Sequence, residues 1–257
     1  MQTVEYKQKT ISRKDPFGAA ILKRKMHTLK HQEKLLKNRN LTETPDVEEN
    51  IKLFFKAKNN PKDKIIIELE IPTLKAGEKQ LSKNIKLRVM GNKKITIVGS
   101  NGVGKTTLLK EIKRQIDMKK DLKIGYMPQT YNHVLNSKIT PLEYLKPKTK
   151  EELTKYKTAL GNVKLTPEEM ETKIENLSEG TKAKIILVKL ILDECNILIL
   201  DEPTRNISPL SNPAVRTALR DFKGSIISVS HDREYIKEVS DEIYELTKDG
   251  LYIKKDS

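Results

Sequence analysis

The sequence has one cysteine, Cys195, and no tryptophan. A single thiol excludes an intramolecular disulfide, and a reducing compartment fits. The apolar neighbours of Cys195 suit a buried structural thiol rather than a reactive one. Aromatic residues are also scarce, 5% of 257 residues, while hydrophobic residues reach 36%. That supply builds one large domain, or one domain with an appendage, under a heavily charged surface. No stretch approaches the ~18 apolar residues of a membrane span. The opening residues MQTVEYKQKTISRK lack the apolar centre of a secretory signal. The expectation is a soluble, cytoplasmic protein. Acidic residues are depleted in one place. Residues 1–40 hold eleven Lys/Arg against Glu5, Asp15 and Glu33, a net of +8 out of +15 for the whole chain. Such an arm suits contact with nucleic acid or another anionic surface. The alternative is a solvated, lysine-rich helix.

The arm reads as a helix with a marked start. Asp15 can cap it and Pro16 can open it, because the missing N–H costs nothing in the first turn. Leu22, Met26, Leu29 and Leu36 form one apolar seam, surrounded by Lys23, Arg24, Lys25, Lys30, Lys34 and Lys37. One seam cannot bury itself, so the helix needs a partner. Acidic LTETPDVEEN and polar KAKNNPKDK follow, which sets a boundary near Lys62: a basic helical arm over 1–62 and an α/β domain over 63–257. In the second part KIIIELE and KNIKLRVM alternate like antiparallel strands. KITIVGS and NILILDE are continuous apolar runs, as in parallel strands covered on both faces. Thr140 to Glu143 (TPLE) and Thr166 to Glu169 (TPEE) each carry a capping box with proline at the first helical position. They mark a helical insert at about 140–177.

GSNGVGKT, residues 99–106, satisfies G-x-x-x-x-G-K-[ST] and lies between the strand KITIV and the helix TTLLKEIKRQI. Glycines let backbone N–H groups converge on phosphate oxygens, and the helix start adds its positive end. Gly99, Ser100, Asn101, Gly102, Val103, Gly104, Lys105, Thr106 and Thr107 are therefore the expected triphosphate cradle. Lys105 is expected to reach the β- and γ-phosphates, and the Thr106 hydroxyl to ligate Mg²⁺. The strand ILILDEP ends in Asp201, a second magnesium ligand through water, and Glu202, the base that polarises the attacking water. His231 ends a third apolar strand, IISVSHDR, and is placed to contact the γ-phosphate. Gln129, after the strand in IGYMPQTY, can reach Mg²⁺ or the lytic water.

These pieces, in this order around NLSEGT, resemble the nucleotide-binding domain of the ATP-binding cassette superfamily over residues 64–257. The resemblance implies a P-loop α/β domain with an antiparallel β subdomain and a helical insert. It implies a Mg²⁺-dependent ATPase, with ATP and Mg²⁺ bound by the residues above. It also implies that Ser178 and the Gly180 N–H grip ATP held by a second cassette, in a head-to-tail dimer with another copy or with a separate upstream half. DEPTRNISPLSNP and the basic arm narrow the likeness to the F subfamily, soluble paired cassettes that act on ribosomes, and within it to the antibiotic-resistance (ribosomal protection) branch. On that likeness, 1–62 corresponds to the later part of an interdomain linker meeting rRNA or tRNA, and 64–257 to a second cassette. The rival readings are the ATPase subunit of a membrane transporter, which leaves the arm without a purpose, and a non-hydrolysing nucleotide switch.

Three positions depart from the family pattern. Glu179 replaces the first glycine of the usual turn; a carboxylate ~4 Å from a phosphate charge at an effective dielectric of ~20 is repelled by about 4 kcal/mol. Lys182 or Lys184 could relieve that repulsion. Ser208 stands where many cassettes carry the aspartate that couples the two sites. The region where an adenine-stacking aromatic is usual reads Leu74, Lys75, Ala76, Gly77.

Overall fold

The computed structural model describes residues 65–118, 122–131, 134, 135 and 138–254. The basic helix expected before residue 40 and the boundary near Lys62 lie outside the described residues.

Two strands, β1 (Ile65–Ala76) and β2 (Lys79–Met90), pair antiparallel as a separate two-stranded sheet. The alternation in KIIIELE and KNIKLRVM is borne out, but both strands run longer than those segments, to twelve residues each. They meet at a tight turn at Gly77, so the polar residues flanking it remain paired. Their apolar faces (Ile67, Leu69, Ile71, Ile85, Leu87 and Val89) pack on one side of the main sheet.

The main sheet has six strands in the order β4-β5-β6-β3-β7-β8. Here β3 is Lys94–Val98, β4 Ile124–Met127, β5 Ile197–Asp201, β6 Ser225–Val229, β7 Glu242–Leu246 and β8 Leu251–Ile253. All but β8 run parallel. In β5, Ile197 and Ile199 enter one core while Leu198 and Leu200 enter the other. A strand covered on both faces needs apolar residues at every position, which is why NILILDE shows no alternation.

Helix α1 (Lys105–Asp117) follows β3 and buries Leu108, Leu109, Ile112 and Ile116 beside β1 and β2. The opposite face is covered by α2 (Pro141–Leu145), α3 (Lys150–Asn162), α4 (Pro167–Glu171), α5 (Glu179–Leu192), α6 (Asn212–Asp221) and α7 (Arg233–Val239). Both expected capping boxes are present. Thr140 Oγ1 accepts from the Glu143 amide at 3.3 Å and Glu143 Oε2 from the Thr140 amide at 2.8 Å. The Thr166 and Glu169 pair repeats this at 3.2 and 3.0 Å. Within 140–177 the elements are α2, α3 and α4, closing with a 3₁₀ turn at Ile174–Asn176.

Candidate functional site

The C-terminal ends of β3, β5 and β6 converge, because these strands are sheet neighbours running in one direction. Ligands of open α/β sheets bind at such carboxyl ends. The loop after β3 carries the phosphate motif, the end of β5 carries Asp201 and Glu202, and the loop after β6 carries His231. A cleft of about 880 Å³ lies between them. Asn101, Gly102, Gly104, Lys105, Thr106 and Thr107 form its floor. Gln129, Asp201, Glu202 and His231 line it beyond that floor. Gly99, Ser100 and Val103 shape the loop without lining the cleft; Val103 is buried in the core. The four wall residues, Gln129, Asp201, Glu202 and His231, all lie more than twenty positions beyond the floor residues in sequence, and the strand order brings them together.

The loop conformation depends on glycine. Gly104 has φ 108° at the start of α1, and a Cβ there would meet Leu81 Cδ1 at 2.9 Å. Both facts exclude a side chain at this position. Lys105 Nζ donates to the carbonyls of Gly99 at 2.9 Å and Ser100 at 3.0 Å, so the ammonium is held over its own loop. Burial lowers the Lys105 pKa, opposed by the nearby Glu202 and Asp201 carboxylates.

Asp201 is 2% exposed, and neither carboxylate oxygen has a hydrogen-bond partner among the described residues. Burial raises its pKa, opposed first by the Thr106 hydroxyl, which lies beside the carboxylate without meeting hydrogen-bond geometry, and then by the Lys105 ammonium. A buried, unpartnered carboxylate beside a hydroxyl fits a divalent cation. Mg²⁺ is commonly held through one or two carboxylates plus substrate phosphates rather than by an all-protein cage.

Glu202 adopts φ +54°, and its amide donates to the Val229 carbonyl at 2.9 Å, which ties the turn to β6. Its side chain is 13% exposed, with Oε1 3.8 Å from His231 Nε2. Glu202 Oε2 accepts from the His231 amide at 3.3 Å. Burial raises the Glu202 pKa, with the His231 amide bond and imidazole opposing it. A largely buried carboxylate with a raised pKa beside an imidazole is suited to taking a proton from water.

Ser178 and Gly180 are absent from the lining of this cleft. Ser178 caps α5, its Oγ accepting from the Thr181 amide at 3.0 Å. Gly180 is required by a close approach: a Cβ there would sit 2.9 Å from the Asn206 carbonyl oxygen. Glu179 points outward, 55% exposed, and Lys182 Nζ pairs with it at 2.9 Å. Of the two lysines expected to relieve it, Lys182 is the partner. The Ser208 hydroxyl is engaged within its own turn, donating to Ser211 Oγ at 2.8 Å.

Four cleft residues were given no role from the sequence: Lys79 and Leu81 of the β1–β2 hairpin, Arg205, and Val229; Ala76 lies in the segment noted for lacking an adenine-stacking aromatic. Lys79 and Leu81 lie far upstream of the phosphate loop, and no motif marks them. Arg205 and Val229 lie within quoted stretches, but the placement of Arg205 depends on the turn after Glu202. In place of an aromatic, the hairpin offers the cleft aliphatic surface from Ala76 and Leu81.

Residues 82–205 match the family model described as ABC transporter. The chain is 32% identical over 183 residues to the erythromycin resistance ATP-binding protein MsrA of Staphylococcus epidermidis, covering 70% of this chain and 37% of that one. It is 28% identical over 187 residues to the probable ATP-binding protein YheS of Escherichia coli K12, covering 70% of this chain and 29% of that one. The chain thus spans about a third of the length of the curated relatives it matches. Its fold matches the dimeric structure of a post-hydrolysis state of the ATP-binding cassette MJ0796 bound to ADP and Pi. That match has a TM-score of 0.61 at 20% identity, covering 72% of this chain and 96% of that one. A second dimeric structure of MJ0796, described as a bacterial ABC transporter cassette, matches with a TM-score of 0.60. The phosphate loop and the acidic strand end both lie within the residues that match this family model, and the sheet that joins them has the fold of an ATP-binding cassette.

Proposed function

We propose that residues 63–257 form the Mg²⁺-dependent ATP-hydrolysing cassette of an F-type protein acting on the ribosome, with residues 1–62 as its basic arm. The observation that carries the ATPase reading is the buried Asp201 carboxylate, unpartnered among the described residues and flanked by Thr106 and Lys105 in the cleft. Lys105 binds the β- and γ-phosphates, and the loop amides from Gly99 through Thr107 orient them. Thr106, Asp201 and Gln129 are the residues that would hold Mg²⁺. That ion supplies neutralisation of the charge on the transferring phosphate. Glu202 takes the proton of the attacking water, and His231, held against it, positions that carboxylate and contacts the terminal phosphate. Ser178 and Gly180, outside this cleft, serve the nucleotide of a second cassette. The dimeric cassettes with the same fold support that arrangement.

The ribosomal reading rests on two supports: the +8 charge of residues 1–40 and the relative named for erythromycin resistance. Among the described residues no helix is long and apolar enough to cross a membrane. The transporter-subunit reading draws on the family description and on the relative YfmM of Bacillus subtilis, named as an ABC transporter ATP-binding protein. One fractionation distinguishes them. The full chain with Mg-ATP is expected in the ribosome pellet; recovery with membranes and not with ribosomes refutes the ribosomal assignment. For the ATPase, phosphate release is expected from the intact chain and not from Lys105→Ala.

A further inference from the structure

Arg205 belongs to the cleft but to none of the phosphate, magnesium or water-activating roles assigned above. It lines the same cleft as Lys105, Asp201, Glu202 and His231. The backbone that carries it is fixed from two sides. The Arg205 amide donates to the Glu202 carbonyl at 3.1 Å, closing the turn that the positive φ of Glu202 begins. Thr204 Oγ1 donates to Asp232 Oδ2 at 2.9 Å, tying the same turn to the loop that carries His231. The side chain is exposed. Among the described residues no hydrogen bond or ion pair holds its guanidinium. Its charge reaches the Asp201 carboxylate, where it opposes the effect of burial.

The cleft has two chemically distinct ends. The hairpin end offers aliphatic surface from Ala76 and Leu81 beside the Lys79 ammonium, suited to a base and sugar, while Asp201, Glu202 and His231 make the other end polar. Arg205, three residues after Glu202 and with its charge reaching Asp201, belongs with the polar group, where a triphosphate threaded along the loop would place its terminal phosphate. A triphosphate carries more negative charge than a diphosphate, and the additional charge falls at that end. A guanidinium suits this task better than an ammonium, because its planar fork can engage two phosphate oxygens at once.

We propose that Arg205 is a further phosphate contact of this site, a guanidinium supplied by the same chain that engages the terminal phosphate and discriminates nucleoside triphosphate from diphosphate. The inference rests on the nucleotide-binding reading of the cleft. Its test is calorimetric titration of the full chain with Mg-ATP and with Mg-ADP. Arg205→Ala is expected to weaken ATP binding by about tenfold, the worth of one charge-assisted hydrogen-bonded contact, and to leave ADP binding within roughly twofold of the parent. Arg205→Lys keeps the charge without the fork and is expected to fall between. Equal weakening of ATP and ADP, or no weakening of either, overturns the proposal. Lys105→Ala separates this outcome from failure of the underlying reading. If the parent chain binds neither nucleotide, or if Lys105→Ala binds both as the parent does, the cleft is not a nucleotide site and the role of Arg205 falls with it.

Discussion

Replacing Asp201 by asparagine should make the protein more stable alone and less stable in Mg-ATP. The side chain is 2% exposed, with both carboxylate oxygens unpartnered among the described residues. A buried polar group without a partner costs about 1–3 kcal/mol, and a charged one more. Asparagine keeps the shape and removes the charge, but it adds an unpartnered amide donor and loses the attraction of the Thr106 hydroxyl and the Lys105 ammonium for a carboxylate. The net gain is therefore placed at about 1–2 kcal/mol, which for a domain of this size raises the melting temperature by roughly 2–8 °C. The sign with pH follows from burial, which raises the folded-state pKa of Asp201 above that of the unfolded chain. The folded state then holds the proton more tightly, so the charge penalty is complete above the raised pKa, shrinks as pH falls through it, and is gone below the unfolded-state pKa. The advantage of Asp201→Asn should accordingly be full at neutral pH and shrink on acidification. With Mg-ATP at a hundredfold excess over its dissociation constant, the parent gains about 2.7 kcal/mol, while the variant, lacking a magnesium ligand, gains little. The assay is a thermal melt of both proteins across pH, with and without Mg-ATP. A variant that melts below the parent in plain buffer at neutral pH refutes the argument, since the unpartnered carboxylate would then be stabilising the fold.

Glu202→Gln should retain ATP binding and slow phosphate release by roughly 10²–10⁴-fold, the usual worth of a positioned base; unchanged turnover would shift the role to His231. Ribosome co-sedimentation should fall steeply between low and high salt if Lys23, Arg24, Lys25, Lys30, Lys34 and Lys37 meet phosphates, and reversing those charges should weaken it further; equal recovery at both salt concentrations favours a solvated helix. Glu179→Gly should cost the folded chain about 1 kcal/mol, because glycine enters the first turn of α5 and the exposed pair with Lys182 is lost. In a Glu202→Gln background with Mg-ATP the same change should nonetheless increase the dimer fraction in sedimentation, by removing a carboxylate beside a partner's phosphate. A smaller dimer fraction would show that the carboxylate has a favourable partner across that interface.

Local physics made much of this protein legible from its sequence. The phosphate loop reads directly because its glycines, lysine and threonine are contiguous and answer one demand, a backbone that wraps an anion. The capping boxes at Thr140 and Thr166 read as directly, since each satisfies its donors within four residues. The unbroken apolar run of β5 announced a strand covered on both faces, and both cores receive its side chains. What the sequence could not state was adjacency. Strands β3, β5 and β6 lie far apart along the chain, and only their parallel pairing brings Lys105, Asp201, Glu202 and His231 to one cleft. The hairpin residues Ala76, Lys79 and Leu81 carry no motif, because a wall needs only a suitable surface in the right place. Arg205 was visible as a letter in DEPTRN, but its place in the cleft follows from the positive φ of Glu202 and the Thr204–Asp232 bond. Motifs record what neighbouring residues do together; the position of a side chain delivered by a turn between two strands is decided by the sheet that holds them.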